Sequence, residues 1–121
     1  MQSRKNQPFS TRLRFAVAGL GHALRTEQSL KTQAIVSLLV VIALIVLRPA
    51  PLWWALVILS SAGVLAAEMF NTAVEHLADY LQPEQHPEIR IVKDCAAAGV
   101  LLMALGASGV ALVLLIDLMH R

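Results

Sequence analysis

The stretch PAPLWWALVILSSAGVLAAEMFNTAVEHLAD, Pro49 to Asp79, decides the fold of this chain. It opens on Pro49-Ala50-Pro51, which breaks any preceding helix, and carries no charge until Glu68. Glu68, Asn71, Glu75 and Asp79 then follow at spacings of three, four and four residues. On a helix these four side chains fall within an arc of roughly 80°. A long apolar run that turns acidic on one side reads as a membrane helix continuing past the bilayer. Ionisable groups at the mouth of a membrane are expensive and usually have a partner, such as a metal ion or a substrate.

Two further runs flank this one. Sixteen uncharged residues separate Lys31 from Arg48, and 22 more run from Cys95 to Ile116. A span needs about 20 apolar residues, with about 17 as a working minimum. The last run qualifies outright and the middle one with its flanks. The first borrows Ser29, Leu30 and the stem of Lys31, whose charge can snorkel outward. Composition agrees: 57% of the 121 residues are hydrophobic and 15% charged, against about 45–50% and about 25% in soluble domains. A chain this small has little interior for so much apolar surface, so a water-soluble globule is excluded.

The expectation is a single all-α membrane domain over 1–121. It has three transmembrane helices within 30–48, 52–81 and 88–119, preceded by an amphipathic interfacial helix over 8–28. In that arm Phe9, Leu13, Ala16, Val17, Leu20 and Leu24 form an apolar stripe, with Arg12, Arg14, His22 and Arg25 off it. Such a helix lies in the interface plane. Glu27 is in register with the stripe, so in a helix reaching that far its carboxylate points toward the other helices. The arm does not read as a cleaved signal peptide, because its basic part is long and the first strongly apolar run starts near residue 34.

Six of the ten Lys and Arg residues lie in the first 31 positions, and Arg90 and Lys93 flank the loop between the last two spans. Arg48 and Arg121 lie on the opposite side. The positive-inside rule therefore places the arm, the acidic end of the second span and the start of the third on the cytoplasmic side of the membrane. Cys95, the only cysteine, excludes an intrachain disulfide and a thiolate metal site within one chain. Ala96, Ala97, Ala98, Gly99, Gly106 and Gly109 permit close helix approach in lipid. Three short helices cover little of one another, so an oligomer is expected.

Glu27, Glu68, Glu75, Asp79 and Asp94 offer hard oxygen ligands. Magnesium takes one or two carboxylates plus substrate phosphates, Lys93 can meet phosphate charge, and Asn71 can hold a carboxylate or phosphate by hydrogen bond. A carboxylate at the apolar boundary can serve as a general base. These are the parts of a phosphoryl-transfer site, although no Walker A or kinase glycine-rich loop is present and Gly19-Leu20-Gly21 is too short to cradle phosphates. Plainer readings exist. The acidic row alone could be a solvated helix extension, and Glu27 could pair with Lys31 at i, i+4. His22, His76 and His120 read as surface residues, Trp53-Trp54 as an anchor at the outer interface, and Cys95 as a small buried packing residue.

The residues resemble a known family, the small prokaryotic diacylglycerol kinases, which include the undecaprenol kinases. EMFNTAVEHLAD, Glu68–Asp79, fits E-x-x-N-[ST]-A-[IV]-E-x-x-x-D at each fixed position. His86 followed by Lys93-Asp94 and the run CAAAGVLL forms a second block, and Phe15, Ala18-Gly19-Leu20, Ala23 and Glu27 a weaker third. The resemblance implies a membrane homotrimer with active sites shared between subunits, phosphorylating a lipid hydroxyl with MgATP. It implies Glu68 as general base and Glu27 and Glu75 as Mg²⁺ ligands. It places Glu84, Gln85 and His86 in the nucleotide loop, with Lys93, Asp94, Asn71 and Asp79 also in the ATP site, and Ala97 in contact with lipid. The implied partners are ATP, a bilayer lipid and further copies of the chain, with no nucleic acid.

The chain departs from the family pattern in the prolines of Gln82-Pro83-Glu84-Gln85-His86-Pro87, and in an arm lacking the Trp- and Tyr-bearing sequence of the enterobacterial type. Its RFAVAGLGHALRTE looks closer to the undecaprenol kinase branch. Diacylglycerol is the expected substrate, and undecaprenol the alternative on the same chemistry. A small transporter would place its carboxylate mid-span, against the crowding of acids at one end. A non-catalytic membrane subunit is the third class.

Overall fold

The computed structural model describes residues 3–121. After a single 3₁₀ turn at Arg4–Asn6 come four α-helices: α1 (Phe9–Thr26), α2 (Gln28–Leu47), α3 (Pro51–Leu81) and α4 (Pro87–Met119). No strand is present among the described residues. The helices α2, α3 and α4 are long and apolar enough to cross a membrane. At 1.5 Å per residue, α2 is about 30 Å long, the thickness of the hydrocarbon core, while α3 and α4 reach about 46 and 50 Å and extend past it.

Proline chemistry sets most boundaries. Pro8 precedes α1, and its carbonyl accepts from the N–H groups of Thr11 and Arg12 at 3.1 Å each. The end of α2 is marked by Arg48 in the left-handed conformation (φ 49°, ψ 54°). Pro49 follows it and cannot continue the helix. Pro51 and Pro87 occupy the first turns of α3 and α4, where a missing N–H costs nothing.

The junction of α1 and α2 differs from the expectation of one helix over 8–28. Helix α1 ends at Thr26, and Glu27 is extended (φ −100°, ψ 113°). Its N–H closes α1 on the Ala23 carbonyl at 2.8 Å, while its carbonyl accepts from Lys31 N–H at 3.1 Å. Arg25 Nε and the Thr26 hydroxyl bond back to the carbonyls of Gly21 and His22, a pattern that bends helices. One residue thus separates the two helices.

The dominant packing is the antiparallel pair α3·α4, with α2 against α3 and α1 touching α2 and α3 lightly. Near mid-span, a Cβ on Gly63 would lie 2.1 Å from Met103 Cε, so this glycine admits the Met103 side chain. Gly99, Gly106 and Gly109, expected to pack helices together, face open space within one chain. The small core of Leu44, Val57 and Leu114 lies at the end away from Asp79 and Lys93, with Trp53 and Trp54 packed on it. Trp53 therefore does more than anchor an interface: its Nε1–H donates to Asp117 Oδ2 at 3.0 Å, and Arg121 holds the same oxygen at 2.7 Å. Cys95 is exposed rather than buried.

The accessible surface is 9133 Å², against about 6,400 Å² for a compact soluble monomer of this mass. The excess is largely aliphatic, including Leu38, Leu39, Ile42, Leu101, Leu102 and Leu105. In water that surface would be prohibitive; in lipid, or against further copies, it is not.

Replacing Trp53 by Phe keeps an aromatic ring and removes the donor to Asp117. It is expected to lower unfolding stability in detergent micelles by about 1–2 kcal/mol. Trp54→Phe, with no comparable hydrogen bond to lose, should cost less; equal costs would show that the Trp53–Asp117 bond contributes nothing.

Candidate functional site

The polar residues of α3 begin where its apolar run stops, and the helix carries them out in a row. From Glu68 to Asp79 is about 16 Å along the axis, so the row divides into two neighbourhoods. The deeper one lies where the start of α2 meets α3. Glu68 is only 4% exposed, and the Ser29 hydroxyl donates to its Oε2 at 3.0 Å. Ser29 is the second residue of α2, so Glu68 sits beside the N-terminal turn of that helix. One turn along α3, Asn71 Oδ1 is buried without a hydrogen-bond partner.

The α1–α2 junction closes this neighbourhood. Glu27 Oε1 lies 3.6 Å from His76 Nε2 and accepts from the Thr26 hydroxyl at 3.4 Å. The His22 and His76 rings meet edge to face at 6.3 Å. Glu27 is thus directed at α3 by leaving the helix, not by following the apolar stripe, and it meets His76 instead of Lys31.

The shallower neighbourhood is an open cleft of about 750 Å³ between the end of α3, the 82–86 loop and the start of α4. Asp79, Glu84, Gln85, His86, Lys93 and Asp94 all line it. Its volume is within the range of ligand sites. Lys93 Nζ donates to Asp79 Oδ1 at 2.5 Å across the cleft. That hydrogen bond raises the Lys93 pKa above the ordinary lysine value, and the charges of Asp79 and Glu75 add to it against partial desolvation. Asp94 pairs loosely with Arg90 at 3.9 Å. His86 caps α4, its Nδ1 accepting from Glu88 N–H at 3.2 Å, which orients the ring.

The structure therefore gathers six of the residues picked out from sequence into the cleft. Glu27, Glu68 and Asn71 do not line it; they belong to the deeper neighbourhood. Glu75 lies on α3 one turn before Asp79, near enough for its charge to act on Lys93. Ala97 is exposed on α4 one turn beyond Lys93 and does not line the cleft. Ser29 and His76 went unrecognised in the sequence: a serine in a first helical turn reads as a cap, and His76 carries no signal apart from lying beside Glu75. Among the described residues no group of three or more His, Cys, Asp or Glu converges as a complete metal cage. The site's carboxylates stand apart from one another along α3 and across the cleft.

A family model described as prokaryotic diacylglycerol kinase matches residues 14–115. A diacylglycerol kinase of Synechocystis sp. is 33% identical over 95 residues, 78% of this chain and 54% of that protein. An undecaprenol kinase of Bacillus subtilis is 29% identical over 86 residues, 71% of this chain and 70% of the relative. The chain thus spans about half the length of the cyanobacterial relative and rather more of the bacillar one.

If the bond across the cleft holds Lys93 protonated, its ammonium should titrate at higher pH in the native chain than in Asp79→Asn. NMR of lysine side chains labelled at Cε measures both midpoints, and coincident midpoints would show that the contact does not persist in solution.

Proposed function

We propose that this chain, which belongs to the prokaryotic diacylglycerol kinase family, phosphorylates diacylglycerol to phosphatidic acid with MgATP at the cytoplasmic face of the inner membrane. The observation that carries this reading is the pairing of a buried carboxylate at the apolar boundary with a polar cleft at the same end of the bundle. Glu68 lies where a lipid hydroxyl arrives from the bilayer; the cleft lies where a nucleotide arrives from water.

Glu68 accepts the hydroxyl proton as the lipid oxygen attacks the γ-phosphorus and the bond to ADP breaks. Lys93, held over the cleft by Asp79, meets phosphate charge, and Asp94, Glu84, Gln85 and His86 contact the nucleotide. Asn71, one turn from Glu68 toward the cleft, binds the nucleotide from the α3 side. Glu27 and Glu75 are the carboxylates suited to Mg²⁺, which when bound neutralises phosphate charge. Ala97 borders the lipid. In a phosphoryl transfer, positioning and neutralisation are most of what the protein supplies.

The arm α1 lies in the membrane interface, its exposed Phe9, Leu13 and Val17 among acyl chains. The apolar surfaces left open on α2 and α4 fit a homotrimer, in which a second copy brings its own polar residues to the site. Undecaprenol is the second substrate reading. It is favoured by the likeness to an undecaprenol kinase over 70% of that protein's length, and by the arm sequence. Both lipids carry a single free hydroxyl.

Transfer of labelled phosphate from MgATP to diacylglycerol or undecaprenol in mixed micelles tests the reading and ranks the two lipids. Glu68→Gln keeps the side-chain size and removes the base, and should lower kcat by about 10²–10⁴-fold. Glu75→Gln should raise the magnesium concentration needed for half-maximal rate. A Glu68→Gln protein turning over within a few fold of the native chain, or an unchanged magnesium titration, would remove those residues from their roles.

A further inference from the structure

A buried carboxylate needs donors, because taking the charged group out of water costs several kcal/mol unless it is hydrogen-bonded. Among the described residues, Glu68 has one hydrogen-bond donor, the Ser29 hydroxyl at 3.0 Å from Oε2. Ser29 lies 39 positions away in sequence, so α2 as a whole must be seated against α3 for the contact to form. Asn71, one turn on, gives Glu68 no hydrogen bond and leaves its own Oδ1 unpaired.

A serine in a first helical turn ordinarily serves its own backbone. Here α2 starts from Glu27 without a side-chain cap, and the Ser29 hydroxyl is spent on the neighbouring helix. The terminal torsion of a glutamate is broad when free. With Oε2 tied to Ser29, that torsion is set and Oε1 is left as the free acceptor, presented in one direction.

We infer that Ser29 is a positioning residue for the phosphoryl transfer: it fixes the Glu68 carboxylate so that Oε1 receives the proton of the lipid hydroxyl. This rests on Glu68 acting as general base in a lipid kinase. Ser29 itself gains and loses no proton. Its hydroxyl hydrogen remains on Oγ while the substrate proton passes to Oε1.

The full-length protein in mixed micelles, with MgATP and the better of the two lipid alcohols, provides the test. Ser29→Ala, well tolerated in a helix, should lower kcat about tenfold through loss of alignment and leave the KM for MgATP unchanged. Ser29→Thr, which keeps the hydroxyl, should restore kcat to within about twofold of the native value. Difference infrared spectra of native protein minus Glu68→Gln isolate the Glu68 carboxyl band, which should move in Ser29→Ala and return in Ser29→Thr. A Ser29→Ala protein with native kcat and an unmoved band overturns the positioning role while Glu68→Gln still abolishes transfer. If the native protein phosphorylates neither lipid, the kinase reading itself falls and takes the catalytic meaning of Ser29 with it.

Discussion

The antiparallel seating of α4 along α3 is the contact on which the rest of the molecule depends. It places the last turn of one helix beside the first turn of the other, and so sets Asp79 opposite Lys93 with the 82–86 loop folded over them. A polar contact closes each end of the pair: Lys93 with Asp79 at one, Trp53 with Asp117 at the other. Between them the contact is apolar, drawn close where Met103 reaches Gly63. In lipid, where burial of apolar surface gives helices little reason to associate, such end contacts and close packing are the available sources of specificity. Sliding α4 by one turn would separate Lys93 from Asp79 and dismantle the cleft.

The second helix is held differently. It touches α3 less extensively than α4 does, and much of its length is bare aliphatic surface. Among the described residues, its side-chain hydrogen bond to the site is made at its first turn, where Ser29 reaches Glu68. Glu68, the carboxylate of α3 nearest its apolar run, thus depends on a helix that packs less fully on α3 than α4 does. Packing by lipid or by another copy against α2 bears on the site through that single hydroxyl.

Much of this architecture is readable from local sequence. Run lengths between charges mark the apolar helices, Pro49–Pro51 and Pro83–Pro87 mark the breaks, and the acidic spacing after Ala67 marks a helix emerging on one face. The convergence of Asp79 with Lys93 follows from a short loop between antiparallel helices. What local pattern does not contain is helix rotation and approach. Whether Ser29 faces α3 or solvent, and whether Trp53 lies in the interface or over Leu114, depends on how neighbours seat, which no window of residues records. The end of α1 is not legible in the sequence because its apolar period continues in register through Glu27, where the backbone is extended. Cys95 looked buried because its neighbours are small and apolar, yet they face outward from the single chain.

The break at Glu27 makes that residue a joint. Only Glu27 stands between α1 and α2, so any change in the angle between them must be absorbed by one pair of backbone torsions. Helices tilt when bilayer thickness does not match their length. A thinner or thicker membrane that tilts α2 would swing the Glu27 carboxylate along an arc about its own Cα, away from His76 or toward it. The direction of the Glu27 carboxylate therefore follows the angle between α1 and α2.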